Sequence, residues 1–391
     1  MGRGKNVLLA TIGSLGDLHP CLAIALELQT RGHHVSLAST VYHRQKIEGR
    51  GIKFVALRPA ISFDDTEFMR CVLRTGSGYE FFVRNVLLSH VHETFADLVK
   101  AAERIDLMIA GETVFAAPLV AQKLGIRWAS AILSPSPFLY IFDCFATDAW
   151  LEPINKLRST FGISRPSEVF REGRFSSNLV LGLFSTLLGD LEPCLPANTV
   201  VTGFVFYDDG HETGAAPELR AFLDKGRPPV VFTLGSAAVV NPGCFYDESA
   251  KAVEILGVRA VLLVGKNSPP ILPRDAIAFD YVPYSQLFPH SAAIVHQGGI
   301  GTIAQALRSG RPMLISPHLV DQPDNAIRLR RLGVARILHP NQYTAERAAT
   351  EISKLLGDTA YTLESSKVSD HLHSESGLMT ACDVIEANLM A

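Results

Sequence analysis

The feature that most constrains this chain is a rhythm that occurs twice. Short, continuous apolar runs alternate with stretches that carry apolar residues at helical spacing. In the first half, residues 7–12, 35–38, 54–57, 107–110 and 128–133 read as strands. A run that is apolar at every position suits a strand covered on both faces, and strands separated by helices pair in parallel. The first run meets the turn Gly13-Ser14-Leu15-Gly16-Asp17, and Pro20 stands where a helix is expected to begin. Leu22, Ala25, Leu26 and Leu28 then recur at helical spacing up to Gly32. Near residue 200 the texture changes to a stretch bearing Gly, Asp and Pro, including Gly203, Asp208, Asp209, Gly210 and Pro217, which reads as a linker. After Pro228-Pro229 the rhythm restarts with strands at 230–234, 260–264, 276–281, 293–295 and 313–316. The expected fold class is α/β, with one parallel-sheet domain over 1–205, a linker over 206–228 and a second such domain over 229–375. The segment 376–391 closes the chain as a helix.

Bulk properties agree with a globular protein of two domains. The chain has 391 residues, 47% hydrophobic and 19% charged, with a formal net charge of −3 and no run of Lys or Arg. Nucleic acid is therefore a poor partner for it. The six cysteines (Cys21, Cys71, Cys144, Cys194, Cys244 and Cys382) are scattered without a C-x-x-C pair, as suits a reducing cytoplasm, the expected location. The basic start runs straight into a strand and a glycine turn, which does not fit a signal peptide. Nothing approaches the ~18 consecutive apolar residues of a spanning helix; the longest candidate, 179–188, is short and holds Gly182 and Ser185.

Chemistry concentrates where the strand at 293–295 enters His296-Gln297-Gly298-Gly299-Ile300-Gly301-Thr302 and a helix follows. Glycines let backbone N–H groups approach an anion closely, and a helix N-terminus adds positive partial charge. His296 and the Thr302 hydroxyl can donate to phosphate oxygens. A glycine turn alone can also do nothing more than turn the chain. Downstream, the strand Pro312-Met313-Leu314-Ile315-Ser316-Pro317 leads to Asp321-Gln322-Pro323-Asp324-Asn325-Ala326. Asp321 and Gln322 thus follow the carboxyl end of a strand, where open α/β sheets bind ligands. A carboxylate beside an amide suits the paired hydroxyls of a sugar, while Asp321 ahead of Pro323 would equally serve as a helix cap.

Together, His-x-Gly-Gly-x-Gly-Thr, Gly-x-Pro and Pro-x-x-x-Asp-Gln-x-x-Asn-Ala resemble the donor region of the family 1 nucleotide-sugar-dependent glycosyltransferases. The likeness lies with the bacterial branch that glycosylates lipids, sterols, macrolides and phenolics, and it extends to bacterial rhamnosyltransferases. It implies the GT-B fold, two Rossmann-like domains facing across a cleft. It also implies that His296, Gly298, Gly299, Gly301 and Thr302 hold a diphosphate, with Ser236 touching phosphate, and that Asp321 and Gln322 hold sugar hydroxyls. Tyr281-Val282-Pro283 is similar to the family segment in which an aromatic ring stacks on the nucleotide base and the next residue's backbone reads its edge. Taken alone, Tyr281 reads as a core aromatic. Many relatives carry Glu where this chain has Gln305 and use it on the ribose hydroxyls. An uncharged amide is a weaker acceptor for two donors, so both a UDP-sugar and a dTDP-sugar such as dTDP-rhamnose stay open as donor.

The turn Gly13-Ser14-Leu15-Gly16-Asp17-Leu18-His19-Pro20 is similar to the family's first loop, which faces the cleft. Transfer by direct displacement needs a base for the acceptor hydroxyl. The resemblance offers Asp17 first and His19 second; on its own, Asp17 could be the cap of the following helix. Glu112 stands near the place where plant relatives have a carboxylate that orients a catalytic His. His33 and His34 read as surface residues before a strand. Inversion at the anomeric carbon is inherited from the family. No Asp-x-Asp pattern is present, so no metal is implied, and Asp64-Asp65 and Asp208-Asp209 read as solvated loops.

Acceptor contacts are expected from 63–70, 77–84 and 134–150, with Phe81, Phe82, Phe138 and Tyr140 for an apolar or aromatic acceptor. Such aromatic stripes are also common in cores. In the family the last helix crosses back onto the first domain. The expected partners are a nucleotide sugar and a small-molecule or lipid acceptor, with peripheral membrane contact open, no cofactor beyond the co-substrate, and an unassigned oligomeric state. Three other readings compete: a UDP-sugar 2-epimerase on the same architecture, a non-catalytic partner subunit, and a dinucleotide dehydrogenase. The first turn lacks the Gly-x-Gly-x-x-Gly that the last of these requires.

Overall fold

A computed structural model describes residues 4–74, 76–136, 148–163, 174–189, 195–208, 217–318 and 321–390. The chain forms two compact units, one of Met1–Phe63, Gly76–Tyr207 and Ser376–Ala391, the other of Asp64–Thr75 and Asp208–Glu375. Each is a Rossmann-like parallel sheet between helices.

The first unit holds β1 (Asn6–Ala10), β2 (His34–Ser39), β3 (Lys53–Ala56), β4 (Leu107–Gly111), β5 (Arg127–Ile132), β6 (Leu179–Gly182) and β7 (Thr199–Val201) in the order β3-β2-β1-β4-β5-β6-β7. The second holds β8 (Val230–Thr233), β9 (Ala260–Leu263), β10 (Ala276–Phe279), β11 (Ala293–His296), β12 (Met313–Ile315) and β13 (Ala335–Ile337) in the order β10-β9-β8-β11-β12-β13. Every pairing is parallel, with Val7 opposite Leu107 and Ile294 opposite Met313, for example. The runs Val-Val-Phe-Thr in β8 and Ala-Ile-Val-His in β11 are buried at every position, as expected of parallel strands covered on both faces, and are apolar up to their last residue.

In each sheet the strand order reverses once, between β1 and β4 and between β8 and β11. Adjacent strands there send their following helices to opposite faces, so their loops part and leave room for a ligand. Those four loops carry Asp17, Glu112, Ser236 and the His296 glycine turn.

Several expectations change. The first helix is Leu15–Thr30, so it starts five residues before Pro20 and runs through it. Proline lacks the N–H for one helical bond but leaves the well-packed apolar face of Leu18, Leu22 and Leu28 intact. The stretch 179–188, noted only as apolar, supplies β6 and the short turn Thr186–Leu188. The short strands β7 and β13 were not expected. A helix, Pro217–Leu223, falls inside the stretch read as a linker, whose residues 209–216, including Asp209, lie outside the described residues. The segment Asp64–Thr75 groups with the second unit, where Lys266 Nζ lies 2.7 Å from Asp64 Oδ2.

The last helix, Gly377–Met390, joins the first unit's core through Ala381, Cys382 and Ile385. Burying Ile385 fully is worth about 2 kcal/mol. Arg31 adds a polar clasp, 2.8 Å from Glu27, 2.6 Å from Asp383 and 2.7 Å from Glu386. His33, expected at the surface, is mostly buried in the same clasp, with Nε2 2.9 Å from Glu386. Among the described residues no helix is long and apolar enough to cross a membrane.

Candidate active site

In the first unit, β1 ends in a turn that hands over to the first helix. Ser14 is the N-cap: its hydroxyl accepts from Gly16 N at 3.2 Å. Asp17, three residues on, closes a capping box, with Oδ2 accepting from Ser14 N at 2.8 Å and from Ser14 Oγ at 3.3 Å. The cap is thus Ser14, and Asp17 is the reciprocal member of the box. A Cβ built on Gly13 would lie 2.2 Å from Asp17 Oδ2, so only glycine lets the carboxylate sit there. His19 packs its ring on Tyr207, with centroids 5.0 Å apart.

Two residues that sequence reasoning passed over meet this turn. His43 Nε2 lies 2.8 Å from the Gly13 carbonyl, and Thr113 Oγ1 donates to the Ile12 carbonyl at 2.5 Å. Both side chains are buried.

Beside β4 and β5 lies a cavity with Phe115, Trp128, Leu151, Ile154 and Phe175 for apolar wall and Glu112, Arg158 and Arg174 as polar lining. Phe81 and Phe82, expected at the acceptor, are half-buried on the π-helical segment Phe81–Leu88 and do not line it. Phe138 and Tyr140 lie outside the described residues. Glu112, which stands near the place of the plant relatives' orienting carboxylate, is among the residues lining this cavity.

In the second unit, β11 ends at His296, which is fully buried. Gly298 N donates to His296 Nδ1 at 3.0 Å, which places the ring's own proton on Nε2. Burial pushes the imidazole down to about 3, so at neutral pH it is an uncharged donor. Gly298 has φ +89°, and a Cβ there would strike Ile315 Cγ2 at 2.9 Å. Gly299 is the N-cap of the helix Ile300–Arg308 and offers no side chain to its free N–H groups. Gly301 at the second helical position is exposed. Thr302 is buried, and the Tyr284 hydroxyl near it lies 3.0 Å from Thr233 Oγ1. Gln305 is half-buried on the same helix.

After β8, Ser236 is half-buried in the short turn Gly235–Ala238. Gln297 lies over that turn: a Cβ on Gly235 would come within 2.3 Å of its Nε2. Tyr281 is 60% exposed, which removes the alternative of a core aromatic, while Val282 beside it is buried. Asp321 stands at the cap position of the helix Gln322–Arg331 yet makes no side-chain cap bond. Its carboxylate accepts from Asn325 Nδ2 at 2.7 Å, and burial raises it to about 6. Gln322 Oε1 accepts from His318 N at 2.8 Å.

Five buried polar atoms here have no hydrogen-bond partner among the described residues: His296 Nε2, Gln297 Oε1, Ser316 Oγ, His318 Nε2 and Asn325 Oδ1. All belong to the loops that end β11 and β12 or to the first turn of the helix beyond. Leaving such groups unsatisfied costs about 1–3 kcal/mol each, so a cluster of them calls for polar partners such as water or a ligand.

Comparison with known proteins follows the same division. Residues 7–118 match the glycosyltransferase family 28 N-terminal domain, and residues 265–381 match the erythromycin biosynthesis protein CIII-like C-terminal domain. The chain is 30% identical to O-mycaminosyltylonolide 6-deoxyallosyltransferase of Streptomyces fradiae, over 97% of each chain. It is 26% identical to a sterol 3-beta-glucosyltransferase of Debaryomyces hansenii, matching 97% of this chain but 26% of that much longer protein. Among solved structures, the glycotransferase of kitacinnamycin superposes with a TM-score of 0.80 at 21% identity, covering 99% of this chain and 100% of that one. With its two Rossmann-like sheets, its matched halves and its full-length relative, the chain belongs to glycosyltransferase family 1 and is a hexosyl-transferring enzyme of GT-B fold.

Proposed function

We propose that this enzyme moves a hexose or 6-deoxyhexose, with inversion, from a UDP- or dTDP-sugar to a hydroxyl of an apolar or aromatic small molecule or lipid. The observation that carries the reading is the cluster of five buried polar atoms around the glycine turn and Asp321 that have no partner among the described residues. Such atoms are stable in a folded protein when a polar ligand meets them.

The acceptor oxygen attacks the anomeric carbon as the carbon–oxygen bond to the diphosphate breaks, and Asp17 takes the acceptor's proton. His296, neutral and with its proton on Nε2, donates to the departing diphosphate together with the free N–H groups opening the helix Ile300–Arg308. Those donors are fixed before reaction, so they need no reorganisation as charge develops. The Ser236 turn is assigned to phosphate as well. Asp321 and Gln322 orient the sugar, Tyr281 stacks on the base from its exposed position, and Val282 lies beside the base edge. Gln305 leaves both nucleotides eligible. The 6-deoxyallosyl group named for the Streptomyces relative supports a 6-deoxyhexose.

The test is a donor panel of UDP-glucose, dTDP-rhamnose and UDP-N-acetylglucosamine with a flavonoid or a hydroxy-lipid as acceptor. Product is followed by mass, and its anomeric configuration by proton NMR coupling. One donor yielding an inverted glycoside supports the proposal. A retained anomer would refute inversion, an epimerised donor formed without acceptor would make the enzyme an isomerase, and tight nucleotide binding without turnover would make it a partner subunit.

A further inference from the structure

We infer that His43 and Thr113 are positioning residues for the reaction, holding the turn that carries Asp17 by gripping two consecutive backbone carbonyls. This rests on the assignment of Asp17 as the base.

The turn leaves β1 at the point where strand order reverses, with β2 on one side and β4 on the other. Each neighbour sends one side chain to it. From the segment after β2, His43 reaches the Gly13 carbonyl at 2.8 Å; a carbonyl only accepts, so Nε2 carries the proton. From the segment after β4, Thr113 reaches the Ile12 carbonyl at 2.5 Å. Both side chains are at least nine-tenths buried. The imidazole is locked by aromatic neighbours: Phe63 stacks on it with centroids 6.0 Å apart and planes 19° apart, and Tyr42 meets it edge-on at 5.0 Å. Burial lowers the affinity of His43 for a second proton.

Fixing these carbonyls fixes Asp17, because the carboxylate rests against Gly13 and on the amide of Ser14. No Cβ fits on Gly13, and Ser14 N donates at 2.8 Å. Rotating the peptide between Gly13 and Ser14 would move the Gly13 carbonyl away from His43 and the Ser14 N–H away from Asp17 at once, since one peptide plane carries both groups. His43 therefore controls the carboxylate through a single rigid plane. A purely structural role, satisfying a buried carbonyl, would lower stability without singling out the chemical step.

The experiment compares His43→Leu, His43→Gln and Thr113→Val in the full chain, alone and with Asp17→Asn. UDP-glucose and dTDP-rhamnose serve as donors and quercetin as acceptor, with release of nucleoside diphosphate to water as a second rate. Amide hydrogen exchange of residues 13–18 and calorimetric binding of UDP and dTDP complete the set. His43→Leu is expected to lower kcat about 100-fold, the usual effect of an ångström of misplacement. Donor KM and nucleotide affinity stay unchanged, and the amides of the turn exchange faster. His43→Gln, which keeps an N–H, recovers kcat to within a few-fold. Thr113→Val, nearly isosteric, shows the same split to a smaller degree and covers the case in which His43→Leu fails to fold. In the Asp17→Asn background His43→Leu costs nothing further, because its effect runs through the carboxylate.

Wild-type kcat in both His43→Leu and Thr113→Val overturns the inference. So does a glutamine variant that restores stability without rate, or a loss that persists undiminished in the Asp17→Asn background. Failure of the base assignment shows separately, as full turnover by Asp17→Asn alone, and removes the inference with it.

Discussion

Asp17 has two jobs in this account, and substitutions at Asp17 and Ser14 separate them. Asp17→Asn keeps an oxygen that can accept from Ser14 N, so the capping box survives with a neutral acceptor. Exchanging a charged for a neutral hydrogen bond loses about 1 kcal/mol. Removing the negative charge from the first turn of Leu15–Thr30 loses a further ~0.5 kcal/mol. The sum, near 1.5 kcal/mol, lowers Tm by roughly 3–6 °C for a unit of this size. Ser14→Ala, which removes the cap itself, costs about 1 kcal/mol. The two variants are thus matched in stability. They part in catalysis: loss of a general base lowers rate by about 10²–10⁴, equivalent to roughly 3–5 kcal/mol of barrier, whereas Ser14→Ala leaves the carboxylate in place and kcat within a few-fold. The assay pairs kcat on the donor chosen by the panel with calorimetric Tm and UDP affinity, which neither variant alters. Asp17→Asn at half the wild-type kcat or better refutes the base. An equal kcat loss in Ser14→Ala would show that cap integrity, not the carboxylate, sets the rate.

The second unit supplies three more expectations. His296 has its folded pKa pushed below the unfolded value of about 6.5, so its stabilising contribution is complete above that pH and is lost as pH falls toward 3. Between pH 7 and 5 this amounts to about 2 kcal/mol, with His43 and His318 shifted in the same direction. Urea melts at both pH values should show a smaller difference in His296→Gln than in wild type; equal differences would sink the assignment. Asp321 is raised to about 6, so its contribution is present below the ordinary carboxylate pKa and lost as pH rises through 6. Asp321→Asn should therefore gain up to about 3 kcal/mol at pH 8 relative to pH 4, while donor KM rises and UDP affinity holds. A rise in UDP Kd instead would move Asp321 off the sugar. Tyr281→Ala, at an exposed site, should leave stability within about 0.5 kcal/mol of wild type. It should weaken UDP and dTDP by roughly 1–3 kcal/mol as measured by calorimetry, and unchanged affinity excludes stacking.

What could be read from the residues follows from how local each cause is. Continuous apolar runs identified the parallel strands other than β6, β7 and β13 to within a residue or two, since covering both faces demands apolar residues at every position. The three-residue strands β7 and β13 carry Thr199 and Arg336 and sit at sheet edges, where that demand is relaxed. The glycine turn was legible because its chemistry is contiguous. Asp17 was visible as a candidate base or cap, but Pro20 drew the helix start five residues too late and hid Ser14 as the cap and the capping box with it. Tyr281 could not be sorted between core and surface, because a lone aromatic after a strand has no period. His43 and Thr113 were invisible for a different reason. They act on backbone carbonyls 30 and 101 residues away, and a backbone carbonyl has no signature in sequence.

The unpartnered atoms near the glycine turn also say what kind of ligand satisfies them. His296 Nε2 is a donor, because Gly298 N–H occupies the other ring nitrogen. Gln297 Oε1 and Asn325 Oδ1 are acceptors, and Ser316 Oγ can be either. Inorganic phosphate, ionised at neutral pH, offers acceptors almost exclusively and would leave the two amide oxygens unmet. A ligand that joins phosphate oxygens to hydroxyls meets both kinds at once. None of these atoms belongs to a charged side chain, the imidazole being held neutral by burial. Their bonds therefore depend on direction more than on net charge, and a site of fixed dipoles is rewarded only by a ligand whose donors and acceptors lie in the matching places. The geometry therefore favours a phosphate carrying a polyhydroxylated ring over a bare anion, which supports the reading of this half of the chain as the holder of a sugar nucleotide.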